Sequence, residues 1–245
     1  MLDLEEKVAL ITGASRGVGA ATAQILAERG VDIIINYRSK ASRAEEIATK
    51  VRTLGRRAVL AQADITSESD IRAMIQIVST HFARLDLLIL NASGGLEKDK
   101  SADYAMQLNL TAQERMVDAA TPLMQAGGRI IFVTSHLAHF YKQKPVYKVY
   151  EPVAASKYAG EQALRNRIPE LSNNGVSLVV VSGDLIEGTI TPKLMERSDR
   201  GLISTRREQV GSLPTVEEFA YAIVDACASS NLSSGATVFV GSTDW

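Results

Sequence analysis

The sequence predicts a single doubly wound α/β domain, a parallel sheet of about seven strands with helices on both faces. Three observations predict it. Apolar runs of strand length alternate with amphipathic stretches of helix length along nearly the whole chain. Several runs, such as Asp32–Asn36 and Leu85–Leu90, are near-continuous Val/Ile/Leu blocks, the pattern of strands buried on both faces. A turn carrying three glycines follows the first strand, where such a fold opens its first helix.

Lys7–Thr12 reads as the first strand and Val18–Arg29 as the first helix. Asp32–Asn36 is predicted as the second strand, followed by the polar, alanine-spaced helix Ser42–Leu54. Ala58–Gln62 and Leu85–Leu90 are further predicted strands, separated by a helix over Glu68–Phe82. A long helix is expected from about Asp103 to Gln125, then a strand over Arg129–Thr134. A helix from about Pro152 to Arg167, the strand Ser177–Val181, a helix over Val216–Ala228 and a last strand at Thr237–Val240 complete the prediction. Strict alternation of this kind means βαβ units. No linker, low-complexity tract or fixed-period repeat interrupts it, so residues 1–245 are expected to form one domain. Gly188–Leu213 has no clear core pattern, and an irregular stretch that long is expected to be a lid or disordered.

The bulk numbers exclude several function classes. With 27 Lys and Arg against 28 Asp and Glu, the chain offers no electrostatic reason to expect nucleic acid or an anionic membrane as partner. No apolar run approaches bilayer length. Asp3, Glu5 and Glu6 stand ahead of the first apolar strand, the wrong order for a secretory signal. One cysteine, Cys227, allows no intramolecular disulfide and reads as a small buried thiol. A reducing, cytoplasmic setting is expected. His136 and His139 bracket Leu137, too few ligands for a metal site, so no metal is expected.

Thr12-Gly13-Ala14-Ser15-Arg16-Gly17-Val18-Gly19 lies between the first strand and the first helix. Phosphates need backbone N–H groups and close approach, which glycines permit, and the helix N-terminus adds a favourable dipole. This turn, Asp64 in Ala63-Asp64-Ile65, Asn91-Ala92-Ser93-Gly94, Asn109, Ser135 and Ser156-Lys157 occur in the order seen in the short-chain dehydrogenase/reductase superfamily. The chain resembles that superfamily over almost its whole length. The resemblance implies a Rossmann-type, NAD(P)-binding domain. Gly13, Gly17 and Gly19 would line the pyrophosphate, and Ser15, Arg16 and Val18 of the same turn would also bind the cofactor. Asp64 and Ile65 would flank the adenine, and Asn91, Ala92, Ser93 and Gly94 would pass along the cofactor.

An acidic residue at the end of the second strand holds a free ribose 2′-OH, whereas a 2′-phosphate needs cations. That end is Asn36-Tyr37-Arg38-Ser39, without a carboxylate, and Arg16 projects from the glycine turn. Two arginines pair with phosphate in fork geometry. NADP(H) is therefore expected over NAD(H), with Tyr37, Arg38 and Ser39 at its adenosine end.

Hydride transfer to a carbonyl leaves negative charge on oxygen, which a proton donor must meet. Tyrosine is a poor acid, so a neighbouring ammonium is used to favour the phenolate. The superfamily places its tyrosine four residues before Lys157, where this chain has Val153. Tyr150 stands seven residues before it, and Pro152 predicts a helix start there, with Tyr150 aimed by the entering loop. Tyr-x6-Lys is similar to the spacing in the enoyl thioester reductases of this superfamily. So is Ser182-Gly183, where the superfamily usually has Pro-Gly and the cofactor passes. By resemblance Tyr150 donates the proton, Ser135 orients the substrate oxygen, Asn109 holds a proton relay and Lys157 also binds the nicotinamide ribose. Thr189 or Thr191 would contact the carboxamide.

Tyr147, Tyr141 and His139 remain rival donors, while Arg197, Arg200, Arg206 and Arg207 either face an anionic substrate or lie on a solvated lid. Expected is a reductase of a 3-oxoacyl-like carbonyl. The alternatives are an enoyl thioester reductase and a non-catalytic NADP(H)-binding sensor or scaffold. A small-molecule or acyl-thioester substrate and a homodimer or homotetramer are the expected partners.

Overall fold

The computed structural model describes residues 2–97, 100–101 and 103–244. Its seven strands are β1 (Val8–Ile11), β2 (Asp32–Tyr37), β3 (Ala58–Gln62), β4 (Leu85–Leu90), β5 (Met124–Ser135), β6 (Ser177–Gly183) and β7 (Thr237–Val240). They form one sheet in the order β3-β2-β1-β4-β5-β6-β7. Every pairing is parallel, with Ile11 opposite both Ile35 and Ile89. The chain winds outward one way from β1 and the other way from β4, which opens a crevice at the carboxyl ends of these two strands.

The helices are α1 (Gly17–Glu28), α2 (Ala41–Thr53), α3 (Glu68–Phe82), α4 (104–120), α5 (Glu151–Asn166), α6 (Ile168–Asn173), α7 (Ile190–Ser198), α8 (Leu202–Val210) and α9 (Val216–Ala228). Helix α3 starts where the Ser67 side chain accepts the Asp70 N–H, and α9 where Thr215 and Glu218 form a reciprocal capping box. On one face of the sheet α1, α2 and α9 bury Ile25, Leu26, Phe219 and Ile223 against Ile11, Ile35 and Ile131. On the other, α3, α4 and α5 bury Met74, Met116 and Leu164 against Leu10, Leu88 and Phe132. A third cluster lies apart from these two and joins Leu137, Tyr150, Val153 and Leu185 to Met195 and Leu202.

Two sequence expectations change. The long helix ends at Ala120 rather than near Gln125, because Pro122 lacks an N–H and turns the chain through a short 3₁₀ segment, Thr121–Leu123, into a β5 that starts at Met124. The stretch 188–213 is not irregular. It holds α7 and α8, separated at Gly201, whose φ of +89° ends regular helix. Each is nine residues long, too short for its apolar period to stand out among charged neighbours.

Candidate active site

A cleft of about 600 Å³ runs along the carboxyl edge of the sheet, from the glycine turn past the β2 end to Lys157 and α7. The sequence fixes its floor through a few polar side chains. The Thr12 hydroxyl donates to the Ile89 carbonyl and accepts the N–H groups of Asn91 and Ala92 at 2.9 and 3.0 Å, tying β1 to the strand beside it. Asn91 donates its amide to the Thr12 carbonyl at 2.9 Å, and the Asn36 side chain accepts the Gly13 N–H at 3.1 Å. Gly13 has φ +66°, open to glycine at no steric cost. A Cβ on Gly19 would lie 2.6 Å from the Asn91 amide nitrogen and 2.7 Å from the Gly13 carbonyl oxygen. Gly19 therefore packs the turn from behind and does not line the cleft.

Of the expected cofactor residues, Gly13, Ser15, Arg16, Gly17, Val18, Tyr37, Arg38, Ser39, Asp64, Ile65, Asn91, Ala92, Ser93, Lys157, Gly183 and Thr189 line this cleft. Gly94 and Ser182 do not. Gly94 is held by Asn109, and Ser182 is buried with its hydroxyl 2.8 Å from His136 Nδ1. Thr191 lines the cleft along with Thr189. Two cations that sequence reasoning passed over, Lys40 and Arg43, line the cleft together with Arg16 and Arg38. The signal for them was their place just after Arg38, Lys40 as the N-cap of α2 and Arg43 in its first turn.

A dinucleotide carrying an extra phosphate fits this surface. The Gly17 position leaves open space where a side chain would stand, so backbone N–H groups are approachable. Arg16, Arg38, Lys40 and Arg43 line the cleft, and β2 itself ends without a carboxylate, in Asn36-Tyr37-Arg38-Ser39; the carboxylates of Asp64 and Glu97 also line the cleft. The Asp64 carboxylate is engaged locally, accepting the N–H and hydroxyl of Thr66.

Ser135, Tyr150 and Lys157 also line this cleft. The hydroxyls of Ser135 and Tyr150 are 3.1 Å apart. Ser135 is set by its place at the end of β5, where its oxygen also accepts the Ala138 N–H of the single turn His136–His139. Tyr150 ends a 3₁₀ turn, Lys148–Tyr150, which runs directly into α5 with Pro152 in its first turn. The helix begins at Glu151, so Tyr150 is carried by ordered structure and not by a loose loop. Val153 packs away in the third apolar cluster.

Burial holds the Tyr150 phenol above its ordinary range, partly offset by the Ser135 hydrogen bond. Burial pulls the Lys157 ammonium down from 10.5 to about 8, opposed by the Glu161 carboxylate one turn on.

Asn109 is buried and does not line the cleft. It lies in a π turn, Gln107–Thr111, inside α4, and donates to the Gly94 carbonyl at 2.9 Å and the Ser156 hydroxyl at 3.0 Å. α5 approaches this turn closely at Gly160, where a Cβ would strike the Asn109 carbonyl oxygen. The rival donors lie elsewhere: Tyr147, Tyr141 and His139 do not line the cleft. Tyr141 packs on Tyr158, and His139 Nδ1 meets Glu161 at 2.8 Å. Arg206, a candidate for facing substrate, is buried and pairs with Asp184. Arg207 pairs with Glu187 at the surface. Burial pushes the Cys227 thiol up to about 12, so it stays protonated. Among the described residues there is no group of three metal-ligating side chains, and no helix is long and apolar enough to cross a membrane.

A family model described as short chain dehydrogenase matches residues 7–199. A hydroxynaphthalene reductase of Aspergillus fumigatus is 39% identical over 142 residues, 55% of this chain and 51% of that protein. A 1-cyclohexenylcarbonyl-CoA reductase of Streptomyces collinus is 30% identical over 187 residues, 74% of this chain and 65% of that protein. The chain thus spans about half to two thirds of the length of these curated relatives. Among solved structures, a short chain dehydrogenase from Burkholderia cenocepacia in complex with NADP superposes with a TM-score of 0.85 at 27% identity, over 98% of each chain.

Proposed function

This chain belongs to the short chain dehydrogenase family of oxidoreductases, and from that premise we propose that it is an NADP(H)-dependent reductase of a 3-oxoacyl-like carbonyl. One observation carries the reading: the Ser135 and Tyr150 hydroxyls, 3.1 Å apart, line the same cleft as Lys157. The four cations lining the cleft support NADP(H), as does the NADP held by the Burkholderia relative.

When bound, the cofactor supplies a hydride, two electrons with one hydrogen, to the carbonyl carbon. The Ser135 hydroxyl hydrogen-bonds the carbonyl oxygen and fixes its position. As negative charge grows on that oxygen, Tyr150 gives it the phenolic proton. Burial keeps Tyr150 protonated until then, and the Lys157 ammonium, which lines the same cleft, stabilises the phenolate left behind. Lys157 also meets the nicotinamide ribose. Asn109 holds the π turn behind Ser156 and so fixes the base of α5. Residues 188–213 act as the substrate lid, with Met195 and Leu202 packed onto Leu137, Leu185 and Tyr150.

A second reading, reduction of a conjugated enoyl thioester, is supported by the seven-residue step from Tyr150 to Lys157 and by the name of the Streptomyces relative. NADPH oxidation with acetoacetyl and crotonyl thioesters separates the two. Turnover of the first carries the proposal, and turnover of the second alone replaces it. NADPH binding with no turnover on a broad panel of carbonyl and enoyl substrates would favour a sensor.

A further inference from the structure

At the adenosine end of the cleft, Arg38 and Tyr104 meet from opposite sides. Arg38 follows β2 and Tyr104 opens α4, 66 residues later, and the Arg38 Nη1 donates to the Tyr104 hydroxyl at 2.7 Å. Both line the cleft. Tyr104 is only 7% exposed and packs with Leu108 in the core beneath the sheet, so its ring is a fixed post. Burial holds its phenol above the ordinary range, so near neutral pH it keeps its proton while its lone pair takes the arginine. The backbone of Arg38 is held too, its carbonyl accepting the Gln62 amide at 3.2 Å.

A guanidinium has five donors in a rigid plane, and this bond uses one edge. The Nε and Nη2 edge has no partner among the described residues. A lone surface arginine would have to give up much side-chain freedom to grip a ligand, a cost that an existing bond largely removes.

We propose that Tyr104 is a specificity-determining residue: it sets the Arg38 fork toward the 2′-phosphate of the cofactor and closes the cleft over the adenosine. Preference for NADP(H) is then a joint property of the β2 end and the start of α4. This rests on the reading of the cleft as an NADP(H) site. Tyr104 touches the phosphate through Arg38 and acts as a positioning residue.

The experiment is fluorescence titration of NADPH and NADH into wild type, Tyr104→Phe, Arg38→Gln and the double variant. Tyr104→Phe removes one oxygen and keeps the ring, and a thermal melt checks its fold. Expected is about tenfold weaker NADPH binding, the size of one charge-assisted hydrogen bond, with NADH changed less than about twofold. In the Arg38→Gln background the same substitution should change NADPH binding less than about twofold. Equal weakening of both cofactors would mean a packing role and overturn the proposal. So would unchanged NADPH binding, or a tenfold loss that persists without Arg38. Wild type that binds NADH as tightly as NADPH would instead overturn the NADP(H) reading beneath it.

Discussion

The Tyr150 hydroxyl lies 3.1 Å from the Ser135 hydroxyl, although the two residues arrive from different elements, a 3₁₀ turn and the end of β5. That distance lets one substrate oxygen meet both. Tyr150→Phe should lower turnover by about 10²–10⁴-fold, the usual worth of a positioned acid. Ser135→Ala should cost about 10²–10³-fold, the usual worth of one donor to a developing oxyanion. Tyr147→Phe should stay within a few-fold, since that phenol is outside the cleft. Steady-state NADPH oxidation checks all three, and undiminished turnover in Tyr150→Phe would remove it as the donor.

Lys157 ties activity and stability to pH in opposite directions. In the fold its ammonium loses its proton near about 8, against 10.5 when exposed. Between these values the unfolded chain holds the extra proton, so the Lys157 contribution to stability should rise with pH from about 8 toward 10, against an opposite contribution from the buried Cys227 thiol above about pH 9. Over the same window NADPH binding and turnover should fall if, as proposed, this charge meets the ribose and steadies the phenolate. Urea unfolding and NADPH titration at pH 7.5, 8.5 and 9.5 would show the crossing. Lys157→Met should flatten the stability trend. A parallel fall of stability and binding would contradict the assignment.

The parts legible in the sequence were those whose signal is local. Ala58–Gln62, Glu68–Phe82, Leu85–Leu90 and Val216–Ala228 end where their apolar period ends, and the glycine turn declares itself by spacing. What was not legible depends on distant partners. Arg206 reads as a solvated charge until Asp184, 22 residues away, is seen to pair with it. Tyr104 gives no sign of function until Arg38 crosses the cleft. The spacing of Tyr150 could be counted, but its reach to Ser135 depends on the 3₁₀ turn that carries it into α5.

The Arg206–Asp184 pair should anchor α8 strongly. Its Nη2–Oδ2 distance is 2.7 Å, Arg206 is 1% exposed, and its guanidinium also donates to the carbonyls of Ser242 and Asp244. Removing one partner strands a buried charge, so Arg206→Met should cost about 3–5 kcal/mol in urea unfolding. The double variant Arg206→Met, Asp184→Leu should recover much of that loss, because no charge is left unpaired. Equal losses in the single and double variants would show that the carbonyl contacts dominate.

His136 should set the acid limit of the fold. Burial is the main reason its pKa falls from 6.5 to about 4, with the nearby Asp184 opposing. The electrostatic effects of His139 and Arg206 on it act in the same direction as burial. Between pH 6.5 and 4 the unfolded chain binds a proton that the fold resists. Stability should therefore fall as pH drops through that window. His136→Gln should make the decline shallower in urea unfolding at pH 4.5, 5.5 and 6.5, and an unchanged slope would place the acid sensitivity elsewhere.

Gly160 tests whether the close approach of α5 to the π turn matters to the site. Alanine is better than glycine in a helix interior by about 1 kcal/mol, so an open position would gain stability. Here the added methyl meets the Asn109 carbonyl, and α5 must shift or the turn must open. Overpacking of this kind costs about 1–3 kcal/mol, so Gly160→Ala should be net destabilising. Gly55→Ala is the matched control: its Cβ meets nothing within 4 Å and only its φ of +76° is strained. Both variants should unfold at lower urea. Only Gly160→Ala should also lower turnover per folded molecule, because the Asn109–Ser156 bond at 3.0 Å holds the helix that carries Lys157. If both variants keep full turnover per folded molecule, the π turn is a packing feature with no hold on the chemistry.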